Sequence, residues 1–228
     1  MTKSEQIYKE YWDTHDFWGG FWLFTPPKKR EQKPNISKQN RDKIYSISRD
    51  VDGVLRGIEA EEKIHSYLNP GPFAKVPHYE LKNVYLMDSN GMSHEIDFIE
   101  IRETGIFCIE VKNWGGVING GRQDKYWSCN GNARRNPVLQ NDTHIRALHD
   151  IIGKKPHITS VIVMAQNNAR QINIPGVINL SDFRVFMSSF QEKVISPEDM
   201  SRIYSLIADA RVEMTRQQHV ENIKKYGK

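Results

Sequence analysis

Cysteine is scarce in this chain. Of 228 residues only Cys108 and Cys129 are cysteine, and neither sits in a C-x-x-C pair. That excludes a zinc ribbon or a dithiol redox motif. Cys108 lies inside an apolar run and reads as a buried thiol. So few thiols suit a reducing, cytoplasmic compartment. Long apolar runs are missing as well: nothing approaches the roughly 18 residues that a membrane-spanning helix needs. The N-terminus lacks the basic start, apolar run and small-residue cleavage site of a signal peptide. Internal repeats are absent. Neither sign of charge dominates: 32 Lys and Arg stand against 28 Asp and Glu, a formal net charge of +4. That balance permits a polyanionic partner without requiring one.

What is present fits one sizeable α/β domain with appendages. Residues 1–50 read as an N-terminal arm and linker, 51–190 as the core, and 191–228 as a C-terminal helix packing on or extending from it. The arm gathers Trp12, Phe17, Trp18, Phe21, Trp22 and Phe24, followed by Pro26, Pro27, Lys28, Lys29 and Arg30. Buried aromatics dominate cores and interfaces, so the arm is expected to dock on protein, either the body or a second copy in a homo-oligomer, with a membrane surface as the alternative. Lys28, Lys29 and Arg30 read as a solvated linker, with a nucleic-acid-binding arm as the alternative.

From Val54 the pattern turns helical. Val54, Ile58, Glu61, Ile64 and Leu68 recur at steps of three and four, and Asn69, Pro70, Gly71 and Pro72 end the helix. Residues 83–87, 95–101 and 106–112 read as strands, with Glu103, Thr104 and Gly105 as a hairpin connection. Residues 126–129, followed by Asn130 and Gly131, begin another hairpin. Asn136 as N-cap and Pro137 at the first position open a helix that Gly153 closes. Residues 158–165 form an apolar strand and 177–180 a short last one. Ser196, Pro197 and Glu198 start a long C-terminal helix. The order predicts a mixed α/β sheet flanked by helices.

Three acidic residues stand where apolar ones belong. Asp97 shares a strand face with Ile99 and Ile101. Glu110 shares one with Cys108 and Lys112. Both strands are apolar on both faces, as core strands are. Glu61 falls on the apolar helix stripe, whereas Glu59 and Glu62 fall off it. A buried charge is costly unless it is paired or binds a metal. Carboxylates held close together cannot all ionise without a cation. Oxygen-only ligands point to Mg²⁺ or Mn²⁺ rather than zinc. Lys112, two residues after Glu110, can orient an attacking water or neutralise charge on a pentavalent phosphorus. An E-x-K triplet alone is weak; an Asp on the preceding strand strengthens it. Two structural ion pairs, Glu110 with Lys112 and Asp97 with a nearby arginine, remain the bland alternative.

Four separated segments carry a family resemblance: GIEAEEKI, NVYL, EIDFIEIRETGIFCIEVKNWGGVING and NPVLQNDTHIRAL. In this order they resemble the nuclease-related domains, NERD, of the restriction-endonuclease-like PD-(D/E)XK superfamily. The resemblance spans about residues 55–165. It implies a restriction-endonuclease-like mixed β-sheet core with flanking helices and Mg²⁺-dependent (or Mn²⁺-dependent) cleavage of nucleic acid, DNA ahead of RNA. The implied catalytic residues are Asp97, Glu110 and Lys112, with the helix glutamate falling on Glu61. Ala60 stands where the family's helix has its second glycine. Metal ligands would be Asp97, Glu110, the carbonyl of Val111 and Glu61. Gln140 stands where related nucleases carry a glutamine near the site.

Other residues keep two readings. Gln140 contacts substrate or orients a water, or is a polar residue at a helix start. His144 reads as a satisfied core histidine and His94 as a turn residue. Trp114, beside Asn113, stacks on a base or packs beneath the sheet. Arg134 and Arg135, just before a helix N-terminus, bind phosphate or are ordinary surface arginines. The expected function is a metal-dependent nuclease. The rivals are a catalytically weak or inactive nucleic-acid-binding module and an oligomeric scaffold.

Overall fold

The computed structural model describes residues 55–68 and 77–226. The aromatic arm, the basic run after it and the expected helix stop at Asn69–Pro72 lie outside these residues. Residues 55–68 are helical (α1). Strands β1 (His78–Met87), β2 (Ser93–Arg102) and β3 (Gly105–Lys112) follow as an antiparallel meander. A smaller sheet comes next, from β4 (Ile118–Asn119), β5 (Tyr126–Cys129) and β6 (Asn132–Arg135). Helix α2 (Pro137–Ile152) carries the chain back to β7 (Ile158–Met164), parallel to β3, and β8 (Val177–Asn179) pairs parallel with β7. Helices α3 (Phe183–Ser188), α4 (Pro197–Asp209) and α5 (Arg216–Tyr226) complete the described chain.

The main sheet has the order β1-β2-β3-β7-β8. Its central strands β2 and β3 are buried on both faces, as their unbroken apolar runs require. On one face Ile99, Ile101, Ile106 and Cys108 meet Leu148 and Ile152 of α2 and Met200, Ile203 and Ile207 of α4. On the other, Phe98, Phe107 and Ile109 meet Ile64 and Leu68 of α1 and Phe183 and Met187 of α3. Each such large side chain taken from water stabilises by about 1.5–3 kcal/mol. Two helical layers thus clamp β3 and hold its C-terminal end in place. Among the described residues, no helix is long and apolar enough to cross a membrane.

Local sequence chemistry sets the boundaries near the site. Asn136 accepts the Val138 N–H at 2.9 Å, Pro137 occupies the first turn, and Gly153 closes the helix at φ 85°. Asn130 and Gly131, at φ 49° and 79°, make the two-residue turn between β5 and β6.

Three expectations are corrected. The C-terminal helix is two helices. Residues 210–215 leave the helix, and there the Val212 N–H donates to the Tyr85 carbonyl on the outer strand β1 at 2.9 Å. The strand expected over 83–87 begins at His78. His94 is no turn residue: it lies in β2 and is buried.

Candidate active site

The β2–β3 register pairs Phe98 with Ile109, so the next step along the hairpin sets Asp97 opposite Glu110. Both side chains leave the sheet on the face that α2 covers. Glu110 is buried, and Asp97 and Lys112 are half-buried, where β3 runs out from under the core. The Val111 N–H donates to Asp97 Oδ2 at 2.7 Å, tying the two strands together at the site.

Lys112 Nζ forms an ion pair with Glu110 Oε1 and donates to Gln140 Oε1 at 3.1 Å. The Gln140 amide completes the ring by donating from Nε2 to Glu110 Oε1 at 2.9 Å. Lysine, glutamate and glutamine therefore lock one another, and Glu110 Oε2 is left buried without a hydrogen-bond partner. His144, one turn along α2, faces that oxygen with Nδ1 at 3.5 Å, and Nδ1 also has no partner. The expectation of a satisfied core histidine is thus corrected. His144 is buried but unsatisfied, and it looks into the site. Burial pushes its pKa down to about 3, helped by the nearby His94 and Lys112, so its imidazole is neutral.

The electrostatics follow from crowding. Burial, then the charge of Glu110, raises Asp97 well above the ordinary carboxylate range, against the pull of Lys112 and the Val111 N–H. Burial disfavours the Lys112 ammonium, but Glu110 and Asp97 outweigh it and hold its pKa above the usual lysine value. Lys112 is therefore a fixed cation. Glu61 reaches the same cleft from α1. Burial raises it, while Lys82 and a hydrogen bond from Asn83 oppose the rise. Asn83 takes φ 52° in β1, a left-handed conformation that asparagine tolerates better than most residues.

These groups line a cleft of about 320 Å³ with Glu95, Arg135, Arg216 and His219. Of the residues singled out in the sequence, Glu61, Asp97, Glu110, Val111, Lys112, Arg135 and Gln140 come together here. Arg134 does not: it is exposed on β6 and alternation sends it the other way. Asn113 is engaged with the Gln166 amide and lies outside the lining. Trp114 is half-buried against the cluster of Ile118 and Trp127, and its ring lies 5.9 Å from Lys112 Nζ, so it packs and also touches the site. Sequence reasoning passed over Glu95, His219 and Arg216.

The donor set suits a hard divalent cation. Asp97 and Glu110 offer carboxylates, Glu110 Oε2 has no other partner, and Val111, whose carbonyl would complete the set, directly follows Glu110 on β3. Among the described residues, no three His, Cys, Asp or Glu side chains converge tightly enough to cage a metal alone. Mg²⁺ is ordinarily held by one or two carboxylates, with waters and substrate phosphate filling the remaining positions.

Residues 56–165 match the profile of the nuclease-related domain family, NERD. An uncharacterized protein of Bacillus anthracis is 28% identical over 144 residues, covering 59% of this chain and 68% of the relative. No solved structure gives a significant match.

Proposed function

We propose that the chain, whose residues 56–165 match the nuclease-related domain family of the restriction-endonuclease-like superfamily, is a metal-dependent nuclease hydrolysing nucleic-acid phosphodiesters, DNA in the first instance. The observation that carries this reading is the opposed pair Asp97 and Glu110, with a buried carboxylate oxygen that lacks a partner and a lysine fixed beside it. The orphaned Glu110 oxygen lies beside Asp97 at a cleft that Lys112, Gln140 and His144 also line, with His144 Nδ1 at 3.5 Å from it.

Asp97, Glu110 and the Val111 carbonyl would hold Mg²⁺ or Mn²⁺, with Glu61 at the edge of the set. A cation there supplies a more acidic water and compensates charge on the leaving oxygen. Lys112, ion-paired with Glu110, is placed to orient the attacking water. It sits where charge develops at phosphorus and stabilises it electrostatically. Gln140 holds Lys112 and Glu110 in register. Trp114 backs the lysine, and Arg135 stands at the rim for a phosphate.

The test is cleavage of labelled single- and double-stranded DNA and RNA in EDTA, Mg²⁺ or Mn²⁺. Wild-type protein is expected to cut at least one of them in a metal-dependent way, and Glu110→Ala to lose the activity. Lys112→Ala should slow cleavage by about 10²–10³-fold, the usual loss of one preorganised electrostatic donor. Undiminished cleavage by both variants would remove this site from the chemistry.

A further inference from the structure

One wall of the cleft is not built by the family segment. Helix α5 lies beyond residues 56–165, yet it presents Arg216, His219 and Ile223 to the same cavity as Asp97 and Glu110. Its start is written locally. The Gln218 N–H donates to Thr215 Oγ1 at 3.2 Å, and the Thr215 N–H donates to Gln218 Oε1 at 2.8 Å. That reciprocal pair is a capping box, which satisfies the helix start from within the chain. The helix is then pinned to β2. The Ser93 N–H donates to Asn222 Oδ1 at 2.7 Å, Asn222 Nδ2 donates to the Gly91 carbonyl at 3.0 Å, and Ser93 Oγ meets His219 Nδ1 at 2.7 Å.

Arg216 takes no part in that anchoring. It is exposed, and its guanidinium makes no hydrogen bond or ion pair among the described residues. Arg135 enters the cleft from β6 in the same condition. Glu61, Glu95, Asp97 and Glu110 line the same cleft. Arginines present only to balance those acids would pair with them, as Lys112 pairs with Glu110. Two uncommitted guanidiniums reaching the cleft from separate elements are instead free for an anion that both can reach. The planar fork of arginine matches phosphate oxygens two at a time.

We propose that Arg216, together with Arg135, grips backbone phosphates of the nucleic acid to either side of the scissile one, making α5 a substrate-binding wall of the cleft. The inference rests on the nuclease reading. It adds a binding residue that lies outside the matched family segment. Arg216 is a substrate-binding residue, not a catalytic one.

The test is fluorescence anisotropy of a labelled oligonucleotide in Ca²⁺ over a series of salt concentrations, beside the cleavage assay. Arg216→Ala should weaken binding about ten-fold, the scale of one charge-assisted contact. It should also reduce the slope of log affinity against log salt by about 0.7–0.9, one phosphate's worth of released counterion. Arg216→Lys should restore the slope and only part of the affinity, because the charge returns without the fork. Melting temperatures should match the wild type, since the anchors of α5 are untouched. Wild-type affinity and slope in Arg216→Ala, with cleavage still lost in Glu110→Ala, would overturn the binding wall and leave the nuclease standing. Weakened binding with an unchanged slope in both Arg216 variants would mark a structural role and also overturn it. A wild-type protein that neither binds nor cuts any nucleic acid would end both readings.

Discussion

Glu100 lies fully buried in β2, with Arg102 Nε donating to its Oε1 at 2.6 Å and its Oε2 without a hydrogen-bond partner. Burial pushes its pKa up from 4.5 to about 7, and the Arg102 charge only partly opposes the rise. The folded protein therefore keeps a proton that the unfolded chain releases between those two values. The stabilisation this gives is complete below pH 4.5 and is lost as pH rises through 7. Glu100→Gln removes that loss. Its stability relative to wild type, read from urea unfolding, should improve by about 3 kcal/mol between pH 4.5 and 8. A gap that stays constant with pH would show that Glu100 is ionised in the native state throughout. The same reasoning made Asp97 and Glu110 visible in the sequence, because a charge inside an apolar strand needs a cause. His144 was not visible in that way. Its helix stripe says that it faces inward, but only the packing of α2 on β3 sets its Nδ1 at 3.5 Å from Glu110. His94 was misread for a related reason: a histidine beside a turn is locally indistinguishable from one that opens a buried strand.

At the scale of elements, Asn136 connects the small sheet to α2. Besides capping α2, its Nδ2 donates to the carbonyls of Gly121, Arg122 and Asp124, the last at 2.7 Å. Those three residues form the loop between β4 and β5. Asn136 thus seats the hairpin that carries Arg135 on the helix that carries Gln140. Asn136→Ala should cost about 2–4 kcal/mol, a lost cap plus buried carbonyls left unpaired, measured as a lower urea midpoint at unchanged slope. A loss below about 0.5 kcal/mol would mean that the loop finds other donors. This junction was half legible. Asn136-Pro137 announces a helix start in any context, while the reach of the amide to a loop twelve or more residues earlier is tertiary. The break between α4 and α5 was legible and missed. Thr215 and Gln218 have the spacing of a capping box, but the pairing of Val212 with the edge of β1 that makes room for it has no local signal.

Taken as a whole, the molecule holds the parts of its cleft together against their own repulsion. Asp97, Glu110, Glu61 and Glu95 converge from α1, β2 and β3, and Lys112 is the one cation ion-paired with any of them among the described residues. The two-layer clamp on β3, with α2 and α4 on one face and α1 and α3 on the other, supplies the rigidity that keeps them there. The architecture could be read from the sequence because helix and strand periodicities alternate cleanly. The family resemblance brought Glu61 of α1 to the same site, but nothing local in the sequence announced that α5 returns to it with Arg216 and His219. A protein that stores repulsion for a cation should gain stability when the repulsion is removed and lose function with it. Asp97→Asn keeps an oxygen to accept the Val111 N–H and deletes one buried charge. In EDTA its unfolding free energy should exceed that of the wild type by about 1–3 kcal/mol, while cleavage in Mg²⁺ disappears. Saturating Mg²⁺ should raise the melting temperature of the wild type, since a ligand at a hundred times its Kd adds about 2.7 kcal/mol, and should leave the variant nearly unmoved. If Mg²⁺ stabilises both proteins equally, the cation binds elsewhere. If Asp97→Asn is the less stable protein in EDTA, the carboxylate is held by attraction to Lys112 and no repulsion is stored for a metal to relieve.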